Sequence, residues 1–136
     1  MIGSMMMCMS AIVLLIGMIG GIAMGVTQNF TLSPAHAHLN LIGGVLLFLF
    51  GLYYRLFPAV GQTALARIQG WLHMVGGVVF PAGIALAVGV SHAWEPMAIV
   101  GALIVFVAMA LFAVVVFGAE RRVVAVAGRI AQVSAL

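Results

Sequence analysis

An all-α integral membrane protein with four spanning helices is the fold class this sequence predicts, and three observations predict it. Only 5% of its 136 residues are charged and 66% are apolar, whereas a soluble domain carries about 25% charged residues to cover its surface. The apolar residues fall into four stretches, at about 5–26, 34–57, 68–90 and 96–118, each near the ~20 residues that a helix needs to cross the hydrocarbon. All five basic residues are arginines, and all stand beside the same ends of these stretches. The formal charge of +3 is therefore a set of topology markers rather than a nucleic-acid footprint.

The first stretch lacks the basic flank and small-residue cleavage site of a secretory signal. Its Gly17, Gly20, Gly21 and Gly25 suit close helix contact instead. The second begins at Ser33-Pro34, a good N-cap followed by a residue favoured at the first helical position. Pro81 falls inside the third and is expected to kink it. Arg55 and Arg67 lie between the second and third stretches, and Arg121, Arg122 and Arg129 follow the fourth, while 27–33 and 91–95 hold no Lys or Arg. By the positive-inside rule both termini and the central connection are expected in the cytoplasm, with Tyr53, Tyr54 and Trp71 at the inner interface and Trp94 at the outer. A four-span domain, 1–118, would thus precede a cytoplasmic tail, 119–136, whose arginines and aliphatic residues suit a helix lying on the membrane surface.

Very few side chains here can do chemistry. His36 and His38 open the second span, in Ser33-Pro34-Ala35-His36-Ala37-His38-Leu39-Asn40, and an ionisable group at membrane depth is by default a functional residue. Neutral imidazole also ligates iron, copper and zinc. Arg55 stands 17 positions past His38, about 26 Å along a helix, which puts the pair near the outer face. Two positions on a helix differ by about 200° of rotation, so the two rings should serve two different sites. In a symmetric oligomer, His36 of one subunit can face His38 of the next, and such heterologous contacts close into a cyclic ring. His92 in the outer loop, and His73 six positions past Arg67, read as interfacial or packed residues. Asn40 is expected to bond across helices. Met5, Met6, Met7 and Met9 point around their helix and do not converge on copper. Glu95 and Glu120 sit at opposite interfaces and form no acid/base couple. With Cys8 alone, a disulfide within the chain and covalent haem attachment are both excluded.

The His36-Ala37-His38 pair, with Leu39-Asn40-Leu41-Ile42-Gly43-Gly44 and Leu52-Tyr53-Tyr54-Arg55-Leu56-Phe57-Pro58, resembles subunit I of the haem–copper oxidases and nitric-oxide reductases. In that family a His-x-His pair on one helix ligates two haems on its opposite sides, and twelve helices form three arcs of four. The resemblance implies that this chain is one arc, that three copies form a homotrimer resembling the twelve-helix subunit, and that His36 and His38 ligate haem b iron. The family's copper site needs three further histidines, including an adjacent pair, which this chain lacks, so oxygen reduction is not implied. The family's propionate-binding arginines are also missing, which leaves His92, Trp94, Gln28, Asn29 and backbone N–H groups as the local donors expected at that end.

The sequence expectation is accordingly a b-type cytochrome of the bacterial inner membrane. It would hold haem between histidines at subunit boundaries, with a quinol or a periplasmic electron carrier as partner and no nucleic acid. Two alternatives stand beside it. One is a gas-binding haem protein with an open iron position; the other is a haem-free structural or assembly module.

Overall fold

The computed structural model describes residues 1–133, and no strand occurs among them. Four segments are long and apolar enough to span a membrane: Ile2–Thr27, Ser33–Leu56, Ala64–Gly89 and His92–Ile130. The protein is thus an all-α chain with the spans of an integral membrane protein.

Local chemistry sets the boundaries. The first span ends at Gln28, whose φ of 52° is the left-handed conformation of a helix C-cap, and the Gln28 amide donates back to the Gly25 carbonyl at 2.6 Å. The second span starts at Ser33 itself, with Leu32 in the cap position and no side-chain cap bond. The expected Ser33 N-cap is therefore displaced by one residue, while Pro34 keeps its place in the first turn. Thr63 caps the third span, its Oγ1 accepting from the Ala66 N–H at 3.2 Å. Ser91 likewise accepts from Ala93 N–H at 3.3 Å and opens the turn His92–Trp94 before the fourth span.

Adjacent spans meet at glycines. A Cβ on Gly3 would lie 2.6 Å from the Gly51 carbonyl, one on Gly43 2.7 Å from the Gly77 carbonyl, and one on Gly101 2.5 Å from Phe80 backbone. Lipid tails are as apolar as leucine, so helices in a bilayer associate through such close van der Waals approach. Pro81 sits inside the third span, where it lacks the N–H that would pair with the Gly77 carbonyl one turn earlier. That carbonyl faces Gly43. At the other end of the bundle, Met6, Leu47, Phe50 and Tyr54 form a closed core, and Phe50 stacks on Phe112 at 4.0 Å between centroids. Tyr54 is only 1% exposed and donates to Gln69 Oε1 at 2.9 Å. It is a core residue and not the interfacial anchor its position beside Arg55 suggests. Trp71 and Trp94 remain exposed.

The spans alternate in direction. Met1, Arg55 and Arg67 share one end, where Arg55 donates to Ser4 Oγ at 2.9 Å, and His36, His38 and His92 share the other. The last helix runs unbroken over Glu95–Val133. At 1.5 Å per residue its 39 residues reach about 58 Å, well beyond a hydrocarbon core of about 30 Å. The segment expected as a separate surface helix therefore continues the fourth span as far as Val133, exposed over 120–130; residues 134–136 of that expected tail lie outside the described residues.

Gly101→Ala should destabilise the protein in detergent by about 1–3 kcal/mol, the usual cost of overpacking. Gly118, with nothing within 4 Å of its would-be Cβ, should tolerate Ala or gain up to about 1 kcal/mol in helix stability. Equal melting temperatures for the two variants would contradict the close approach of the third and fourth spans.

Candidate functional site

The second span is not a regular helix. It is α-helical over Ser33–His38, widens to a π-helix over Leu39–Leu46 and returns to α over Leu47–Leu56. Widened turns of this kind are rare and frequently mark functional sites. Two wholly buried side chains bond this one from opposite sides. Ser10 Oγ, on the first span, donates to the Gly44 carbonyl at 2.9 Å, and His73 Nε2, on the third, lies 3.1 Å from the Ile42 carbonyl. His73 is 0% exposed and packs edge-on against Phe50. It bonds Ile42 while lying six positions past Arg67 on the regular third helix, about 9 Å along it, a packed residue on the arginine side of the bundle as its spacing predicts.

The two N-terminal histidines meet different helices. The His36 ring lies over a glycine notch in the first span, where a Cβ on Gly21 would come within 3.1 Å of Cε1 and one on Gly20 within 3.8 Å of Nδ1. Asn40 holds it there. The Asn40 amide nitrogen is 3.0 Å from the His36 carbonyl and 3.2–3.3 Å from the two ring nitrogens. Its carboxamide fills the space a Gly17 side chain would need. Asn40 thus bonds within its own turn and touches the neighbouring helix by shape, which corrects the expected cross-helix hydrogen bond.

His38 faces the third span, edge-on to Phe80 at 4.8 Å between centroids. Its Nδ1 is 2.7 Å from the Pro34 carbonyl. A carbonyl only accepts, so the proton sits on Nδ1 and the Nε2 lone pair is left free. This arrangement, one ring N–H fixed by a carbonyl, sets the tautomer and orientation of histidines that ligate metals.

Beside His36 the first three spans line an open-sided cavity of about 290 Å³, with Ile16, Met24, Leu39, Val78 and Ala82 in its walls. It shares Gly20, Met24 and Leu32 with a second cavity of about 440 Å³ that Thr27, Asn29 and Thr31 border. Together they form an apolar cleft with a polar mouth. Thr27 Oγ1 is used on the Ala23 carbonyl, and Asn29 Oδ1 accepts from the Thr31 N–H, which leaves the Asn29 amide N–H and the Thr31 hydroxyl as donors. Of the other polar residues of this end, Gln28 is turned onto Gly25, and His92 pairs with Glu95 at 2.6 Å on the exposed surface.

Among the described residues no group of three or more His, Cys, Asp or Glu could hold a metal ion. A haem iron needs only two axial side chains, and the free lone pair of His38 suits that role. Comparison with known proteins gives no matching family model, no matching curated protein and no matching solved structure.

Gly17 and Asn40 should behave as one unit. Gly17→Ala should destabilise the protein by about 1–3 kcal/mol, and Asn40→Ala, which empties the contested space, should restore much of the loss in the double variant. The cycle should show a coupling of about 0.5–3 kcal/mol; additive effects on unfolding in detergent would place Asn40 elsewhere.

Proposed function

We propose that this chain is a membrane haem protein in which His36 and His38 of neighbouring copies ligate haem b iron, one haem at each boundary of a homotrimer. The observation that carries the reading is His38: its Nδ1–H is committed to Pro34 and its Nε2 is free, on a turn where His36 faces a different helix. Because the two rings diverge, neither can complete the other's coordination within one chain, so a second copy supplies the missing ligand. The architecture is the one implied by the resemblance to an arc of oxidase subunit I.

The residues of this end suit the cofactor. The cleft beside His36 offers an apolar wall to a macrocycle, and the Asn29 amide and Thr31 hydroxyl offer hydrogen bonds to propionates at its mouth. Bis-histidine iron supplies one-electron transfer between Fe(III) and Fe(II), and the polarity of its surroundings sets the potential. The chain's own part is to orient two imidazoles, exclude water with the apolar walls and keep iron at the histidine end. We place that end at the outer face of a bacterial inner membrane, where a quinol or a periplasmic electron carrier would exchange electrons, and the arginine end in the cytoplasm.

The divergence of the two rings supports a second reading. Without a neighbouring copy, an iron on His38 alone would keep an open position for a gas.

Absorption spectra of the purified protein, oxidised and dithionite-reduced, with and without carbon monoxide, test both. Sharp reduced bands indifferent to carbon monoxide are the expected result, and a carbon monoxide shift would favour the gas-binding reading. In the ring arrangement His36→Ala or His38→Ala alone should abolish the six-coordinate spectrum, and His73→Ala should leave its band positions unchanged. A colourless protein after expression with ample haem would overturn both readings and leave a structural membrane module.

A further inference from the structure

Gln69 and His73 are one turn apart on the third span and both are 0% exposed. Each carries one buried polar atom without a partner among the described residues, Gln69 Nε2 and His73 Nδ1. We propose that one buried water molecule joins these two atoms and closes a hydrogen-bonded chain from the Tyr54 hydroxyl to the Ile42 carbonyl.

The proton positions follow from one end. The Ile42 carbonyl can only accept, so His73 carries its proton on Nε2, which lies 3.1 Å away. Nδ1 is then a bare acceptor. At the other end Tyr54 donates to Gln69 Oε1 at 2.9 Å, which turns the Gln69 NH₂ away from Tyr54 as a spare donor. The two orphans are therefore complementary, a donor and an acceptor on residues whose spacing places them on the same face of a helix. They make no direct bond. A water molecule accepts from Gln69 Nε2 and donates to His73 Nδ1, the minimum of two polar partners that a buried water needs. In hydrocarbon, leaving both groups unpaired would be costly.

The chain reaches from Tyr54, beside the arginine end, to a carbonyl one turn from His38. Gln69 and the water thereby act as positioning groups: they hold the His73 tautomer that bonds the widened turn.

Solid-state ¹⁵N NMR of histidine-labelled protein in lipid bilayers tests this, with His73 assigned by its contact to the ¹³C-labelled Ile42 carbonyl. The expected spectrum shows His73 neutral and protonated on Nε2, with Nδ1 hydrogen-bonded and receiving magnetisation from water protons. In Gln69→Met the water transfer to Nδ1 should be lost while the Nε2 contact to Ile42 persists. A proton on Nδ1, no transfer from water in the wild type, or transfer straight from the Gln69 amide would each overturn the proposal. The wild-type spectrum decides it even if Gln69→Met fails to fold, and it does so whether or not the protein carries haem.

Discussion

The widened turn of the second span, bonded by Ser10 on one side and His73 on the other, is the constraint on which the rest of the site depends. A π turn exchanges the regular i→i+4 ladder for a looser one. In hydrocarbon no water can repair the change. Here two neighbouring helices each supply a buried donor, to Gly44 and to Ile42. The same turn carries Gly43, whose bare Cα lets the Gly77 carbonyl, facing Pro81's missing N–H, come close. Three irregularities that would each weaken an isolated helix thus meet at one level of the bundle.

That arrangement fixes where the histidines point. His36 and His38 occupy the last α-helical turn before the ladder widens, so their directions are inherited from a segment whose far side is held by two other helices. The first span gives way to His36 and Asn40 through Gly17, Gly20 and Gly21, and the third presents Phe80 to His38. Small residues where a ring must lie flat, and an aromatic edge where a ring must be braced, turn two adjacent imidazoles toward two different surroundings.

Much of the architecture was legible because membrane physics writes it in composition. Four apolar runs with arginines at alternate ends leave few folds open, and the first three spans and the start of the fourth fall within a few residues of the stretches read from the sequence. Periodicity could not show the π turn, since Leu39–Leu46 reads as ordinary apolar helix and only the donors on other spans make the widening favourable. The same blindness hid the burial of Tyr54, since a position beside an arginine says nothing of a partner on another helix, and Gln69 draws its hydroxyl into the core. His73 keeps the depth its spacing from Arg67 gives, and its bond to Ile42 was the part the sequence could not show. Asn40 was recognisable as a polar residue in an apolar run. Its choice of His36 over a neighbouring helix follows from the i,i+4 spacing, which brings the amide onto its own helix's preceding turn. The fourth span's extension was hidden because helical continuity, unlike hydropathy, does not stop at the membrane surface.

Asn40 is also where structure and chemistry meet most directly. Its amide has two protons, one used on the His36 carbonyl and one directed at the ring face, so His36 is braced by a group nearly equidistant from its two nitrogens. His38 is oriented by a carbonyl, which takes only the proton the ring can spare. The two rings are therefore held differently within one copy, His38 through its own Nδ1–H and His36 by an amide that stands over it. They differ because the Pro34 carbonyl lies one turn before His38 on the same helix, whereas His36 looks across at the glycines of the first span.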